Sequence, residues 1–364
     1  MTKRNEDAAN EAGARANLKE LAQHLGLSQS TVSRVVNNSA QAYRISASTQ
    51  ERVLAAAAKM NYKANHFARG LRNKRSQTVG VIVPEISDGY STSVLGGIED
   101  VLLLGGYFYF VVSHRHRAEL LREYPSLLLS RAVEGIIAVD SAIDGDLPVP
   151  VVAVSGHLHG RSVVNIELDH LLAARFALEH LHRLGHTKIA FIKGQSFSSD
   201  TRARWKAISK VADDLGIAIN PRLTAQLEGA ALGYEPGRVA TVRLLETGQP
   251  FTAIFAFNDL SAMGAIVALR EAGINVPSDV SVVGFDDIPS AATNNPPLTT
   301  VRQPLQEMGR VAATMLLERI QSDEPRPQNR PTLILPTFVE RQTTARAAGL
   351  RKAAPEPLLL RTTR

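Results

Sequence analysis

The chain has 364 residues, 44% of them hydrophobic, which is enough for two or three domains with cores of their own. It contains no cysteine, which excludes a disulfide framework, thiolate metal sites and a cysteine nucleophile, and which fits a reducing compartment. Residues 1–75 carry 13 Lys/Arg against 5 Asp/Glu and the remainder 28 against 30, so the formal net charge of +6 resides at the front; such a balance predicts a polyanion partner for the front module alone.

Residues 1–16 read as a polar tail without the apolar centre of a signal peptide. No apolar run approaches a membrane span, so the expectation is a cytoplasmic protein with no membrane partner. Asn17 to Asn37, NLKELAQHLGLSQSTVSRVVN, predicts two short helices around a tight turn. Leu18, Leu21, Ala22 and Leu25 give the first helix an apolar face. Gly26 breaks it, and Ser28 is placed to cap the second. Val32, Val35 and Val36 turn inward, leaving Gln29, Ser30, Ser33, Arg34 and Asn37 outward, the shape of a helix-turn-helix that enters a DNA major groove. The competing reading is a small amphipathic hairpin with a solvated polar face.

A polar loop follows over Asn38 to Ile45, and a third helix starts near Ser46 or Ser48, with Ser48 and Glu51 spaced as a capping box. Val53, Leu54, Ala57 and Met60 form its apolar face. Residues 17–62 then make a minimal all-α module with a small core. The basic segment 63–76 reads as a linker, within which Asn65 to Leu71 can form two turns of helix despite Gly70.

From Thr78 the texture changes. Short β-branched runs such as TVGVIVP, YFYFVVS, VEGIIAV, VPVVAVS, VVNIEL, KIAFIKG, AIFAFN and VSVVGFDD alternate with amphipathic stretches. The helical stretches fall near 91–105, 119–131, 171–184, 201–215, 260–272 and 305–320, and TLILPTFVE closes the pattern. Buried strands alternating with helices predict parallel sheets covered on both faces, and the number of strands predicts two α/β lobes. Ligands in such sheets lie beyond the carboxyl ends of strands. That rule selects Ser155, Asp169, Asn258 and Asp286 as candidates. The tail 346–364 is polar and basic, with no leucine heptad for higher assembly.

Several segments together resemble one known family. They are TVSRVVN at 31–37, NYKAN at 61–65, LGH at 184–186, FND at 257–259, VPSDVSVVGFDD at 276–287, PPLTTVRQP at 296–304 and LPTFVERQTT at 335–344. In this order and spacing the chain resembles the lac repressor/gal repressor family of bacterial transcription regulators from about Leu18 to Thr344. The resemblance implies an all-α helix-turn-helix headpiece at 17–62, a hinge helix at 63–76, and a two-lobed α/β core at 77–345 built like periplasmic sugar-binding proteins. The lobes would comprise about 77–168 with 303–333, and 169–302 with 334–345, with chain crossings near Leu168, Arg302 and Leu333.

The same resemblance assigns roles. Gln29, Ser30 and Arg34 fall where base edges are read in the major groove, Gln being suited to adenine and Arg to guanine. Ser28, Thr31 and Ser33 are phosphate candidates. Asn65, Ala68, Leu71 and Arg72 match the hinge that lies in the minor groove, with Leu71 as the wedge between base pairs. Two features depart from the family: Ala64 stands where a proline usually starts the hinge helix, and the loop from Ser39 to Arg44 is longer, with Tyr43 and Arg44 added.

Arg204, Asn258 and Asp286 match polar positions of the family's effector site, with Asp169, Ser155, Tyr90 and Asp200 as further candidates. Trp205, the sole tryptophan, either floors that pocket or packs a helix. The expected function is a regulator, most often a repressor in this family, that binds a pseudo-palindromic double-stranded operator as a homodimer and answers to a sugar-like small molecule between the lobes. No cofactor or metal is expected. His180, His182 and His186 cluster, but LGH is a fold motif of the family. An enzyme finds no support in motifs such as GxSxG, GxxxxGK[ST] or HExxH. The alternative is the solute-binding protein of a sugar transporter, which the basic headpiece opposes.

Overall fold

A computed structural model describes residues 16–37, 42–62, 75–87, 89–143, 146–155, 163–229, 233–322 and 331–347. The chain divides into two compact units between Ser76 and Gln77. The hinge candidates Asn65, Ala68, Leu71 and Arg72, and the neighbouring Ala64, lie outside the described residues.

Among its described residues the first unit holds three α-helices, α1 (Leu18–Leu25), α2 (Gln29–Val36) and α3 (Ala47–Lys59). Asn17 starts α1 with a capping box. Its side chain accepts from the Glu20 amide at 3.0 Å, and Glu20 accepts from the Asn17 amide at 2.9 Å. Gly26 ends α1 in the left-handed region at φ 64°, a conformation that glycine adopts without steric cost. Ser28 caps α2 by accepting from the Thr31 amide at 3.1 Å. Leu21, Ala22, Val32, Val35, Val53, Ala56 and Ala57 fill the small core.

Two expectations for α3 change. Its cap is Ser46, which accepts from the Thr49 amide, so Ser48 and Glu51 lie inside the helix and form no capping box. Ser46 wins because its backbone is still extended while Ser48 is already helical. Leu54 is half exposed, and Ala56 takes its place in the core.

The second unit contains two six-stranded sheets of like topology. The first runs β11 (Thr332–Ile334), β5 (Val163–Leu168), β4 (Val151–Val154), β3 (Gly135–Val139), β1 (Thr78–Val83), β2 (Phe108–Ser113), all parallel. Helices α4 (Gly89–Leu104), α5 (Ala118–Ser130) and α11 (Leu305–Gln321) accompany it. Central strands β1, β3 and β4 are buried along their whole length, as fully covered parallel strands must be.

The second sheet runs β12 (Thr337–Val339), β10 (Thr299–Arg302), β9 (Ser281–Asp286), β8 (Ala253–Ala256), β6 (Ile189–Lys193), β7 (Thr224–Gln226). Only β12 is antiparallel to its neighbour. Its helices are α6 (His170–Arg183), α7 (Asp200–Asp214), α8 (Glu235–Glu246), α9 (Asp259–Glu271) and the short α10 (Pro289–Thr293). The chain passes between the sheets at Asp169, at Gln303–Pro304 and at Leu335–Pro336. TLILPTFVE is therefore two short strands in different sheets.

Close helix contacts explain two glycines. A Cβ on Gly97 of α4 would stand 1.8 Å from the Gln306 carbonyl oxygen of α11, and one on Gly237 of α8 would stand 2.3 Å from the Ser261 carbonyl oxygen of α9. The histidines of the 180–186 cluster also serve the fold. His180 Nε2 lies 2.9 Å from Thr344 Oγ1, while His186 bonds Thr252 Oγ1 and the Ala345 carbonyl at 2.9 Å each, tying the segment after β12 to the second lobe.

Candidate functional site

Two surfaces carry chemistry. In the first unit, α2 exposes Gln29, Ser30 and Arg34, with Ser28 exposed before it and Thr31 half buried. The inward turn of Val32 and Val35 fixes this orientation, since residues three and four apart share a helix face. Ser28 Oγ is engaged locally with Ser30 Oγ at 2.9 Å and Thr31 Oγ1 at 2.8 Å, and a hydroxyl so placed can still meet a phosphate oxygen. Ser33 is different. It is 7% exposed, and Asn37 Nδ2 lies 3.2 Å from its Oγ, so it faces the core side and is removed from the outward set. Its position one residue past Val32 puts it near the edge of the buried stripe. Tyr43 is 74% exposed, with the Arg44 guanidinium 5.6 Å from its ring centroid.

The second surface is a cavity of about 440 Å³ in the core unit. In each sheet the strand order reverses direction beside the first strand, between β1 and β3 and between β6 and β8, and a crevice opens at such a point beyond the carboxyl ends. Both crevices contribute to this cavity. Glu85 follows β1 and Asp140 follows β3, whereas Gln195 and Phe197 follow β6 and Phe257 and Asn258 follow β8. Asp286 ends β9, Tyr90 belongs to α4, and Asp200 and Arg204 stand on the first turns of α7.

Arg204 is the best-anchored of these groups, at 4% exposure. Nη1 donates to the Phe257 carbonyl at 2.5 Å and Nη2 to Asp200 Oδ2 at 3.2 Å. Its guanidinium lies 4.4 Å from the Phe257 ring centroid and 3.7 Å from that of Phe285, a cation–π sandwich that fixes its plane. Nε is buried without a partner among the described residues. Asp200 Oδ1 is also 3.3 Å from His170 Nε2. Asn258 caps α9 by accepting from the Ser261 amide at 2.9 Å, so its Oδ1 is committed and its Nδ2 is what it can offer a ligand. Asp286 sits at φ 111°, a conformation costly for a non-glycine residue, and Gln303 Nε2 donates to its Oδ1 at 2.6 Å.

Asp140 was not singled out by sequence, although it follows the run VEGIIAV and the strand-end rule reaches it. It joins the lobes. Its Oδ1 accepts from the Ser199 amide at 3.0 Å and lies 2.5 Å from Ser199 Oγ, and its Oδ2 is 3.3 Å from Ser198 Oγ. Burial, followed by the charge of Asp200, pushes the Asp140 carboxyl up to about 7 against the opposing effect of those serine bonds. The Tyr90 hydroxyl is held well above its usual range by burial and then by Asp200 and Asp140, and it donates to Ser155 Oγ at 3.0 Å. His116 is pushed down by burial, which favours its neutral form. Glu85, His116, Gln195, Phe197 and Ser198 likewise line the cavity without having been singled out.

Two candidates fall elsewhere. Asp169 caps α6 by accepting from the Leu172 amide at 2.9 Å and does not line the cavity. Its strand, β5, lies away from the reversal point, so the strand-end rule overreached there. Ser155 is buried behind Tyr90 rather than on the cavity wall. Trp205 packs edge-on against Phe191, with ring centroids 5.8 Å apart, and belongs to the core of the second lobe.

Such an arrangement, a helix-turn-helix unit with a two-sheet binding core, defines a class of ligand-responsive regulator. Residues 17–65 match the family of bacterial regulatory proteins, lacI family, and residues 178–344 match the periplasmic binding protein-like domain. The transcriptional repressor PurR of Haemophilus influenzae is 32% identical over 317 residues, covering 84% of this chain and 91% of that protein. A lac repressor dimer bound to operator and the anti-inducer ONPF superposes with a TM-score of 0.79 at 28% identity, covering 91% of this chain and all of that one. A lacI-family regulator from Enterococcus faecium with bound ribose gives a TM-score of 0.65 at 28% identity, over 74% of this chain and all of that one. The chain belongs to the lacI family and is a DNA-binding regulator of transcription. Among the described residues no helix is long and apolar enough to cross a membrane.

Proposed function

We propose that the protein is a cytoplasmic transcriptional repressor that binds a pseudo-palindromic operator as a homodimer and is controlled by a small polar effector, a sugar or sugar derivative, held in the core cavity. The observation that carries the reading is the exposed face of α2, where Gln29, Ser30 and Arg34 are held outward by a buried valine stripe. Gln29 and Arg34 offer bidentate recognition of base edges, while Ser28 and Thr31 serve phosphates. In this reading residues 63–76 form the hinge, with Asn65, Ala68 and Arg72 in the minor groove and Leu71 as the wedge.

Arg204, Asn258, Asp286, Asp200 and Tyr90 line the effector cavity. The effector acts by binding the two lobe arrangements with different affinity, which shifts their populations and with them operator affinity. The bound ribose of the Enterococcus faecium relative supports a sugar-like ligand, and its lower similarity leaves the sugar's identity to this chain's own residues.

Fluorescence anisotropy on an operator selected from random DNA tests the reading. Affinity should fall steeply as salt rises, because the basic front unit displaces counterions. Binding that stays flat across salt contradicts it. Arg204→Ala should remove the effector response and leave operator binding intact.

A further inference from the structure

The cavity holds more negative charge than a neutral ligand can use. Among the described residues four carboxylates line it, from Glu85, Asp140, Asp200 and Asp286, against one guanidinium, from Arg204. That guanidinium is already engaged by Asp200. His116 is pushed toward its neutral form by burial, against the charge of Glu85, which favours the imidazolium. Glu85 points to a missing partner. It is 8% exposed, its Oε1 accepts from Ser87 Oγ at 2.9 Å, and its Oε2 is buried with no partner among the described residues. A buried carboxylate oxygen left in this way costs several times more than a solvated one, and a cation is the partner that recovers most of it.

The rest of the wall narrows the cation's chemistry. Asn258 and Asp286 sit at strand ends in the second lobe, where an amide and a carboxylate satisfy hydroxyl groups in different directions. Tyr90 and Phe257 offer aromatic faces for an apolar sugar face. A plain alkylamine would leave those hydroxyl-binding groups unpaired, a neutral hexose would leave Glu85 Oε2 without a charged partner, and an anion would be repelled.

We propose that the cavity takes an amine-bearing polyol of the amino-sugar class, its ammonium held by Glu85 and Asp140 of the first lobe and its hydroxyls by Arg204, Asn258 and Asp286 of the second. The proposal deepens the effector reading and rests on it for the regulatory consequence alone. Asp140 adds an independent signature. The groups that act on it are Asp200 and Tyr90, with Ser198 and Ser199 as donors, and none of these is a cation. An ammonium arriving beside it draws its carboxyl down from about 7, so at neutral pH the Asp140 carboxyl, about half protonated before binding, gives up a fraction of a proton.

Calorimetry on the full chain provides the test. Glucosamine, galactosamine and mannosamine are each titrated beside the N-acetyl derivative and the parent hexose, in phosphate and in MOPS. At least one amine should bind more than about tenfold tighter than both its counterparts, with a heat that depends on the buffer in the sense of proton release. Asp140→Asn should abolish the buffer dependence, and Glu85→Gln, an independent variant with the same shape, should weaken the amine more than about fivefold while sparing neutral sugars. Equal or tighter binding of the hexose or acetyl sugar, indifference of the amine to both substitutions, or no amine binding at millimolar concentration would overturn the proposal. Release of the operator by a neutral sugar would overturn it while leaving the effector reading standing. Tight amine binding without any change in operator affinity would support the ligand class and remove the effector role.

Discussion

The headpiece and the core solve recognition in opposite ways. In the headpiece the side chains proposed to read DNA are exposed and contiguous, Gln29, Ser30 and Arg34 on one short helix, and a few valines and leucines beneath them hold the helix in place. In the core the cavity-lining side chains come from distant stretches, Glu85 through Asp286, brought together because each of two sheets reverses its strand order. A polymer with a charged surface can be read by solvated groups, whose contacts form at little desolvation cost. A small molecule must be enclosed, and enclosure changes the acid–base character of the enclosing groups, as it does for Asp140.

If this contrast is right, stability and function should separate in the headpiece and be entangled in the core. The largest effect is expected from Leu21→Ala, which empties a fully buried site in the small core. A loss of about 3 kcal/mol is at the middle of the range for such changes, and a unit of this size should lose most of its helical structure. Circular dichroism should show a lower melting transition for the headpiece and an unchanged one for the core.

Next, Gly97→Ala should destabilise the core by about 2–3 kcal/mol, because its Cβ would meet a backbone carbonyl that cannot move aside alone. Urea unfolding followed by the fluorescence of Trp205 reads this directly. Arg34→Ala is a smaller change of another kind: about 1–3 kcal/mol of operator affinity, read by anisotropy, with no shift in melting because the side chain is exposed.

The smallest effect is the pH dependence. Burial pushes the carboxyls of Asp140 and Asp259 up to about 7, above the unfolded value near 4, so the folded core binds more protons than the unfolded chain between those values. Core stability contributed by these groups is therefore greatest near pH 4 and falls as pH rises to about 7, then levels off. Urea midpoints across that window should show a decline that Asp140→Asn makes shallower.

Legibility follows the same divide. The helix-turn-helix was readable because its signals are local: Asn17, Gly26 and Ser28 punctuate it within twelve residues, and the apolar spacing supplies the rest. Ser33 shows the limit of that spacing, since one residue at the stripe's edge settles inward. In the core, β-branched runs locate the long strands, whereas α8 is not among the helices expected from sequence, and its Gly237 is a packing contact with α9. Pro336 separates β11 from β12 and sends them to different sheets, a fact of topology that no local pattern carries. The cavity is legible in part: the strand-end rule reaches Asn258 and Asp286 but also points to Asp169, which lies elsewhere, the family resemblance adds Arg204, Asp200 and Tyr90, and knowing which strands flank the reversal singles out Glu85 and Asp140 among the many strand ends.

Selection of bound sequences from a randomised duplex pool, run in parallel on the full chain and on Arg34→Ala, tests the central claim most directly. The account predicts enrichment of a two-fold symmetric site by the unmodified protein, and loss of preference at one base of each half-site in the variant. Enrichment of the same motif by both proteins would contradict the assignment of α2, and no enrichment by folded protein, with or without small molecules, would contradict the account as a whole.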